Sequence, residues 1–227
     1  MAAAKNVLVI AGCTNPLGQR LVERLRTQCH NVILHVERPV PHFEFRLPGA
    51  LAVHESHYNT RLLSSWASIG KKFSAIIDLS LLKNCRIPPL SPSTLFISVR
   101  STGSPEPSSH VLFKKSVLID VPNLVISDEA VPDPVIISEG GVRAVHESDI
   151  LRFITDYAMR DRIVQDYHEP VINVNISCPD TGSLGDLREP IGVLYKIDPR
   201  SPLTRTLLSS RGQKLFNFTP HKFTELI

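Results

Sequence analysis

The stretch that decides the fold is VLVIAGCTNPLGQRLVERL, residues 7–25. It begins with a continuous apolar run, which is typical of a strand buried on both faces. Gly12 follows this run, and from Leu17 onwards apolar residues recur at a helical spacing with polar residues between them. A strand, a glycine turn and an amphipathic helix in this order predict a βα unit whose turn can hold a nucleotide phosphate.

Length and composition bound the class of protein. With 227 residues, 42% hydrophobic and 21% charged, the chain is expected to fold as an α/β domain with a small second lobe. The net charge of +3 is spread along the chain, which argues against nucleic-acid binding, and no apolar run reaches the roughly 20 residues that cross a membrane. Four scattered cysteines without a CxxC pair predict reduced thiols in a cytoplasmic protein.

Short apolar runs recur along the chain between polar or helical stretches. Runs of this length fit strands of a parallel sheet with both faces covered, so the predicted fold class is α/β, a Rossmann-like doubly wound parallel sheet. The predicted strands are Val7–Ile10, Val32–Val36, Leu51–Val53, Ala75–Leu79, Leu95–Val99, Leu124–Ile126 and Val171–Ile176. A second amphipathic helix is predicted over Asp149–Met159, with Ser148 as its N-cap.

The domain prediction follows from this order of elements. Residues 1–130 are expected to form a Rossmann-like dinucleotide-binding core. Residues 131–227 are expected to form a reduced C-terminal lobe of the substrate-binding type, with a late strand and helices that return to the core. The two parts are predicted to make a single compact unit.

The glycine turn and several later segments resemble the extended short-chain dehydrogenase/reductase family. IAGCTNPLGQRL is similar to its TGxxGxxG opening, with Gly12 and Gly18 at the outer glycines and Asn15 at the middle one. Asparagine tolerates left-handed backbone angles better than most residues, so the turn can still form. Later segments match in the family's order and are most similar to its sugar-nucleotide epimerase/dehydratase/reductase branch. They are FSAIIDLSLL, LFISVRS, VRAVHESDILRFI, VINVNISCPDTGSLGDL and FNFTPHKFTELI.

This resemblance implies an NAD or NADP site. An acid after the second strand, here Glu37, usually accepts hydrogen bonds from the adenosine ribose, which favours NAD. Arg38 beside it would instead suit the 2′-phosphate of NADP, so the choice stays open. The residues that the resemblance places at the cofactor are Gly12, Thr14, Asn15, Leu17, Gly18, Glu37, Arg38, Ser80 and Lys114.

The catalytic positions depart from the family's pattern. Its chemistry uses a Tyr-x-x-x-Lys pair and a serine, in which the tyrosine is the acid/base group. In SSHVLFKKS, Lys114 stands at the lysine and His110 at the tyrosine, while Ser101 or Arg100 stands at the serine. The implied catalytic residues are therefore His110, Lys114 and Ser101, although far fewer residues separate Ser101 from His110 than in relatives. The missing tyrosine predicts altered or lost catalysis.

A helix of the family is also missing. Between Leu82 and Thr94 the chain contains Pro88, Pro89 and Pro92, which exclude the long helix that relatives place there. We expect its loss to leave an apolar sheet face for another segment, or for a second subunit in a homo- or hetero-oligomer.

Two functions remain open at the level of sequence. The first is an NAD(P)-dependent oxidoreductase or epimerase acting on a nucleotide sugar or a related carbonyl compound. The second is a non-catalytic NAD(P)-binding protein, either regulatory or a partner-dependent subunit. No metal site is predicted, because His54 and His57 follow a strand and lack the spacing of a helical zinc motif.

Overall fold

The computed structural model describes part of the chain. The described residues are 6–10, 16–28, 31–36, 52–55, 73–81, 91, 93–101, 108–122, 124–126, 135–137, 143–159, 164, 166–180, 195–197, 216–222 and 225.

A seven-stranded parallel sheet forms the centre of the protein. Its strands are β1 (Asn6–Ile10), β2 (Asn31–Val36), β3 (Ala52–Glu55), β4 (Ala75–Leu81), β5 (Leu95–Ser101), β6 (Lys115–Val121) and β10 (Val171–Asn175). They lie in the order β10-β6-β5-β4-β1-β2-β3, and all neighbouring strands are parallel. On one side of β1 lie β2 and then β3. On the other side lie β4, β5, β6 and β10, in that order. This arrangement confirms the predicted Rossmann-like doubly wound fold.

Two short parallel pairs lie outside this sheet. The first joins β7 (Leu124–Ile126) to β9 (Ala144–His146), and the second joins β8 (Val135–Ile137) to β11 (Tyr195–Ile197). Placing Leu124–Ile126 in the main sheet was therefore wrong, and the strand that was missed is β6. Its sequence, KSVLIDV, contains only a short apolar run, Val117–Ile119, between Ser116 and Asp120.

Two helical segments pack on one face of the sheet. Helix α1 (Pro16–Thr27) buries the predicted stripe of Leu17, Leu21, Val22 and Leu25. Helix α2 (Glu147–Arg152) continues directly into a π-helical turn, Phe153–Ala158. No helix in the described ranges is long and apolar enough to cross a membrane.

Helix α2 begins earlier than the sequence predicted. Its N-cap is His146 rather than Ser148, because the His146 Nδ1 atom accepts a hydrogen bond from the Ser148 backbone N–H at 3.3 Å. The same nitrogen lies 2.6 Å from the Ser148 hydroxyl. An imidazole therefore caps this helix where a serine was expected.

The sheet face that carries α1 and α2, which we call the helix-covered face, contributes many buried apolar side chains to the core. Phe153 lies at its centre and makes edge contacts with Phe216 and Phe218, at ring-centroid distances of 5.0 and 5.2 Å. Phe216 and Phe218 thus pack in the core, and the division into residues 1–130 and 131–227, with helices that return to the core, stays a prediction. The buried apolar sheet residues of this face are Val7, Val32, Ala75, Ile77, Leu79, Ile97, Val99, Val117, Ile119, Val121, Ile172 and Val174.

Cys178 is a free, buried cysteine of the described part of the chain. Burial, together with the nearby charges of Asp149 and Asp180, raises the pKa of its thiol to about 12. A thiol that stays protonated is a poor nucleophile, so Cys178 acts as a packing residue.

Candidate functional site at the carboxyl edge of the sheet

The strands β2 and β3 lie on one side of β1, and the later strands, beginning with β4, lie on its other side. The strand order therefore reverses between β1 and β4. In open α/β sheets, ligands bind outside the carboxyl ends of the strands at such a switch point. Helix α1 begins at this edge with Pro16, and β1 ends there with Ile10. Leu17 and Gly18 lie in its first turn, and both are buried. The carboxyl ends of β1, β4, β5 and β6 are therefore the candidate site.

Only some predicted cofactor residues fall in the described part of the chain. Leu17 and Gly18 lie at the start of α1, and Ser80 is the second-to-last residue of β4. These three are brought to the carboxyl edge. The other predicted contacts of this edge lie outside the described residues: Gly12, Thr14, Asn15, Glu37 and Arg38.

The sheet face opposite the helices changes character along its strands. Near the amino ends it is apolar: Ile76, Phe96 and Leu118 are fully buried, and the Phe113 ring stacks on Phe96 with a centroid distance of 5.2 Å. Because burial is complete in the single chain, these residues need no second subunit to cover them. The predicted oligomer interface on this face therefore gains no support from the residues that the structure describes.

Towards the carboxyl ends the same face becomes polar, and we call this region the polar half. Asp78 and Ser98 are neighbours in the β4–β5 register and are only 1% and 2% exposed. Polar groups are costly to bury in an apolar sheet unless they serve as hydrogen-bonding partners. The members of the polar half are Asp78, Ser98, Arg100, Asp120 and Asn173.

Arg100 is the most constrained side chain of the polar half. Its Nε and Nη2 atoms bind the two carboxylate oxygens of Asp120, the Nη2–Oδ2 distance being 3.2 Å, and Nη2 also lies 3.4 Å from the Asn173 amide oxygen. Asp120 is the register partner of Arg100 on β6, and Asn173 is one strand further, on β10. The arginine side chain therefore crosses from β5 over β6, with only 11% of it exposed. Its third nitrogen, Nη1, is buried and has no hydrogen-bond partner among the residues that the structure describes.

The three predicted catalytic residues do not come together. Ser101 pairs with Val121 at the carboxyl ends of β5 and β6, whereas Lys115 pairs with Leu95 at the amino ends. The exposed Lys114 directly precedes Lys115. At about 3.3 Å per residue, six residues of strand separate these edges by about 20 Å.

His110 lies at the same amino edge as Lys114. Its carbonyl oxygen accepts hydrogen bonds from the Ser116 hydroxyl at 3.1 Å and from the Phe113 N–H at 3.2 Å. His110 lies in the short 3-10 helix Ser108–Leu112, which precedes the start of β6 at Lys115. This register places His110 and Lys114 at the edge of the sheet opposite Ser101, and the roles predicted for the three residues stay predictions.

A second polar cluster joins the start of α2 to the C-terminal segment. The buried carboxylate of Asp149 accepts hydrogen bonds from the His221 backbone N–H and the Arg152 Nη2 atom, and it pairs with the His221 Nδ1 atom, each at 2.9 Å. Arg152 also stacks over the Phe218 ring at 4.8 Å. Both carboxylate oxygens of Asp149 bind other residues of the chain, so this cluster stabilises the contact between α2 and the C-terminal segment.

Sequence reasoning missed most of the polar half. Arg100 was considered only as an alternative to Ser101, and Asp78, Asp120 and Asn173 were not singled out. A signal that could have found them is the position of polar residues near the strand ends. In LFISVRS, Ser98 and Arg100 share one face of the strand, and in KSVLIDV, Asp120 stands next to the last residue. Among the described residues, no three His, Cys, Asp or Glu side chains are grouped so as to hold a metal ion.

The fold and the site define a class: a Rossmann-like α/β sheet with a ligand crevice at its switch point. No protein-family model and no curated protein sequence matches the chain. Solved structures do match it over nearly its full length. UDP-glucose 4-epimerase from Thermotoga maritima, solved with UDP-glucose, has a TM-score of 0.61 at 14% identity, over 95% of this chain and 93% of that one.

Two further matches carry NAD. The Bordetella bronchiseptica enzyme WbmG in complex with NAD has a TM-score of 0.61 at 12% identity, over 96% of this chain and 90% of that one. A UDP-glucose-4-epimerase from Stenotrophomonas maltophila, with bound NAD and formylated UDP-arabinopyranose, has a TM-score of 0.61 at 10% identity, over 98% and 95%. At these identities the similarity establishes the fold, and at that level it confirms the predicted resemblance to nucleotide-sugar epimerases.

Proposed function

We propose that the protein binds a nicotinamide dinucleotide at the carboxyl edge of the sheet and a nucleotide sugar beside it, as an oxidoreductase or epimerase. The observation that carries this proposal is the switch point between β1 and β4, with α1 beginning at the same edge. Solved structures with the same fold hold NAD and UDP-sugars. Their ligands support the proposal by analogy of fold.

The start of α1 suits a pyrophosphate group. The first N–H groups of a helix have no partner within it and favour an anion. The first turn of α1 contains no acidic residue that would repel one. The buried Gly18 lets the helix approach the sheet closely. The further contacts that we propose for the cofactor are Gly12, Thr14, Asn15, Leu17 and Ser80.

The adenosine end of the cofactor decides between NAD and NADP. We propose NAD, because Glu37 would accept hydrogen bonds from the ribose hydroxyls and would repel a 2′-phosphate. Arg38 next to it is the residue that would reverse this preference.

At the reacting end, a bound nicotinamide would accept or supply hydride. Ser101, in the last position of β5, is the proposed group that orients the substrate hydroxyl. His110 and Lys114 take no part in this proposal, because they lie at the opposite edge of the sheet. A non-catalytic dinucleotide-binding protein is the alternative, and turnover separates the two.

Thermal unfolding with NAD, NADH, NADP and NADPH tests the cofactor site. A dinucleotide present at 100 times its dissociation constant should stabilise the fold by about 2.7 kcal/mol. We expect the largest shift with NAD or NADH. Incubation with UDP-glucose then tests turnover. Absorbance of the reduced nicotinamide reports net oxidation of the sugar, and chromatographic separation of the sugar epimers reports epimerisation, which returns the hydride and leaves no net reduced cofactor. The absence of both products despite a shift would favour the non-catalytic alternative.

Two variants locate the site. Gly12→Val should remove the dinucleotide-induced shift, because a branched side chain would crowd the phosphate. Lys114→Ala is the matched control and should leave the shift unchanged. A shift with none of the four dinucleotides would refute the proposed function, and a shift lost in Lys114→Ala would refute the position of the site.

A further inference from the structure

We propose that Arg100 is a substrate-binding residue whose Nη1 atom donates hydrogen bonds to an uncharged oxygen, a hydroxyl or a carbonyl, on the sugar of the nucleotide-sugar ligand. This inference rests on the proposed function and assigns one residue to the sugar. Arg100 would bind and position the sugar rather than act as an acid or base, because a guanidinium does not give up its proton in proteins.

The first argument is that the three guanidinium nitrogens of Arg100 differ in their hydrogen bonds. Nε and Nη2 are held by Asp120, and Nη2 also reaches Asn173. This side-on pairing fixes the plane of the guanidinium and leaves the two Nη1–H groups as its remaining donors. Nη1 is buried, and no described part of the chain supplies a hydrogen-bond partner for it.

An unsatisfied buried donor is costly, which argues for a ligand that uses it. Leaving such a group unpaired is unfavourable, and more so when the group is charged. A lysine would also pair with Asp120, without a third nitrogen to bury. The fixed plane and the free nitrogen together make Arg100 a preorganised donor.

The second argument is position. Arg100 is the register partner of Leu81, the last residue of β4, so it lies at the carboxyl edge one strand away from the switch point. Its side chain extends away from β4, over β6 and towards β10. A ligand that reaches from the switch point along this edge would meet the guanidinium after the dinucleotide site.

The third argument concerns charge. The carboxylate of Asp120 pairs with Arg100 and balances its positive charge. An anionic substituent at Nη1 would be repelled by this carboxylate. A sugar hydroxyl or carbonyl oxygen accepts the same hydrogen bonds without that repulsion, so the structure favours an uncharged oxygen.

The experiment compares the binding of UDP-glucose, UDP and NAD to the wild-type protein and to Arg100→Lys by calorimetry. Lysine can still pair with Asp120 but offers no second planar amino group. We expect Arg100→Lys to weaken UDP-glucose binding by about ten- to a hundredfold, the range for a hydrogen bond from a charged group. Binding of UDP and NAD should stay unchanged. Arg26→Lys, which removes a guanidinium from the far end of α1, is the matched control.

A second variant separates binding from folding. Asp120→Asn keeps an acceptor oxygen for Arg100 and retains Nη1, so its ratio of UDP-glucose to UDP affinity should match the wild type even if its melting temperature falls. Equal affinities of Arg100→Lys and the wild type for UDP-glucose would overturn the inference. So would an equal loss for UDP and UDP-glucose, or a folded Asp120→Asn that has lost the preference for the sugar.

The proposed function fails separately. If the wild-type protein binds none of the three ligands, both the function and this inference are wrong. If it binds all three and Arg100→Lys behaves as the wild type does, the function stands and only the role of Arg100 is refuted.

Discussion

The two faces of the central sheet are built from the same strands and have different compositions. On the helix-covered face, the apolar side chains of Ala75, Ile77, Leu79, Ile97 and Val99 pack in the core. On the opposite face, Ile76 and Phe96 are followed by Asp78, Ser98, Arg100 and Asp120. One face therefore serves packing throughout, whereas the other combines packing with a polar site at the edge where ligands bind in this fold.

Strand β5 shows this difference within five residues. Its side chains alternate between the faces, so Ile97 and Val99 enter the core beneath α1 and α2, while Phe96, Ser98 and Arg100 point the other way. A single strand thus contributes to stability with one set of residues and to the candidate site with the other. Substitutions on the two faces should have separable consequences.

The largest effect on stability is expected at Phe153, which packs against the helix-covered face. Phe153 is fully buried and contacts Tyr157, Phe216 and Phe218. Phe153→Ala should lower the free energy of unfolding by about 3–5 kcal/mol, because it leaves a cavity among rings that cannot close. Urea denaturation measures this loss, and Phe153→Leu is the control, which should cost less than half as much. A loss below about 1 kcal/mol would show that this face is not the main core.

A matched pair on β5 tests the two faces directly. Val99→Thr keeps the volume but adds a hydroxyl to the helix-covered face, where burial without a partner costs about 1–3 kcal/mol. Ser98→Ala removes a hydroxyl from the polar half and should cost about 1 kcal/mol or less. Urea denaturation measures the free energy of unfolding of both variants, and we expect the larger loss for Val99→Thr. The reverse order would contradict the assignment of the two residues to opposite faces.

The smallest effect is expected at Asp156, which lies in the π-helical turn after α2 and connects this turn to α1. Its Oδ2 atom lies 2.6 Å from Nη2 of Arg24, and its Oδ1 atom accepts from Gln28 at 2.8 Å. Burial tends to raise the pKa of Asp156, but hydrogen bonds from Thr155, Gln28 and Arg24, with the charge of Arg24, outweigh it and lower the pKa below 3.8.

A lowered pKa in the folded state means that the ionised carboxylate stabilises the fold above the unfolded-state pKa. This contribution is lost as the pH falls through the folded-state pKa. Asp156→Asn should therefore cost about 1 kcal/mol at neutral pH, and the cost should shrink between about pH 5 and about pH 2. Urea denaturation across this pH range measures it. Glu23→Gln, an exposed carboxylate on α1, is the control, and a pH-independent cost at Asp156 would refute the ion pair.

The success of the sequence prediction followed the strength of local patterns. Six of the seven predicted strands lie in the main sheet, and the buried stripe of α1 was found residue by residue. Strand β6 was missed because Lys115, Ser116 and Asp120 leave it only a short apolar run, and of these three residues only Asp120 belongs to the polar half. The N-cap of α2 was misplaced because a histidine side chain takes the role of the expected serine.

The sequence by itself determined the fold class and the edge where a ligand would bind, because both follow from local periodicity and from the order of strands and helices. Starting from residues 7–25, it also placed Leu17 and Gly18 at that edge. Only the tertiary structure decided which distant residues share a site. Strand register, which depends on pairing between segments far apart in the chain, set Ser101 about 20 Å from Lys114 and brought Arg100 beside Asp120 and Asn173.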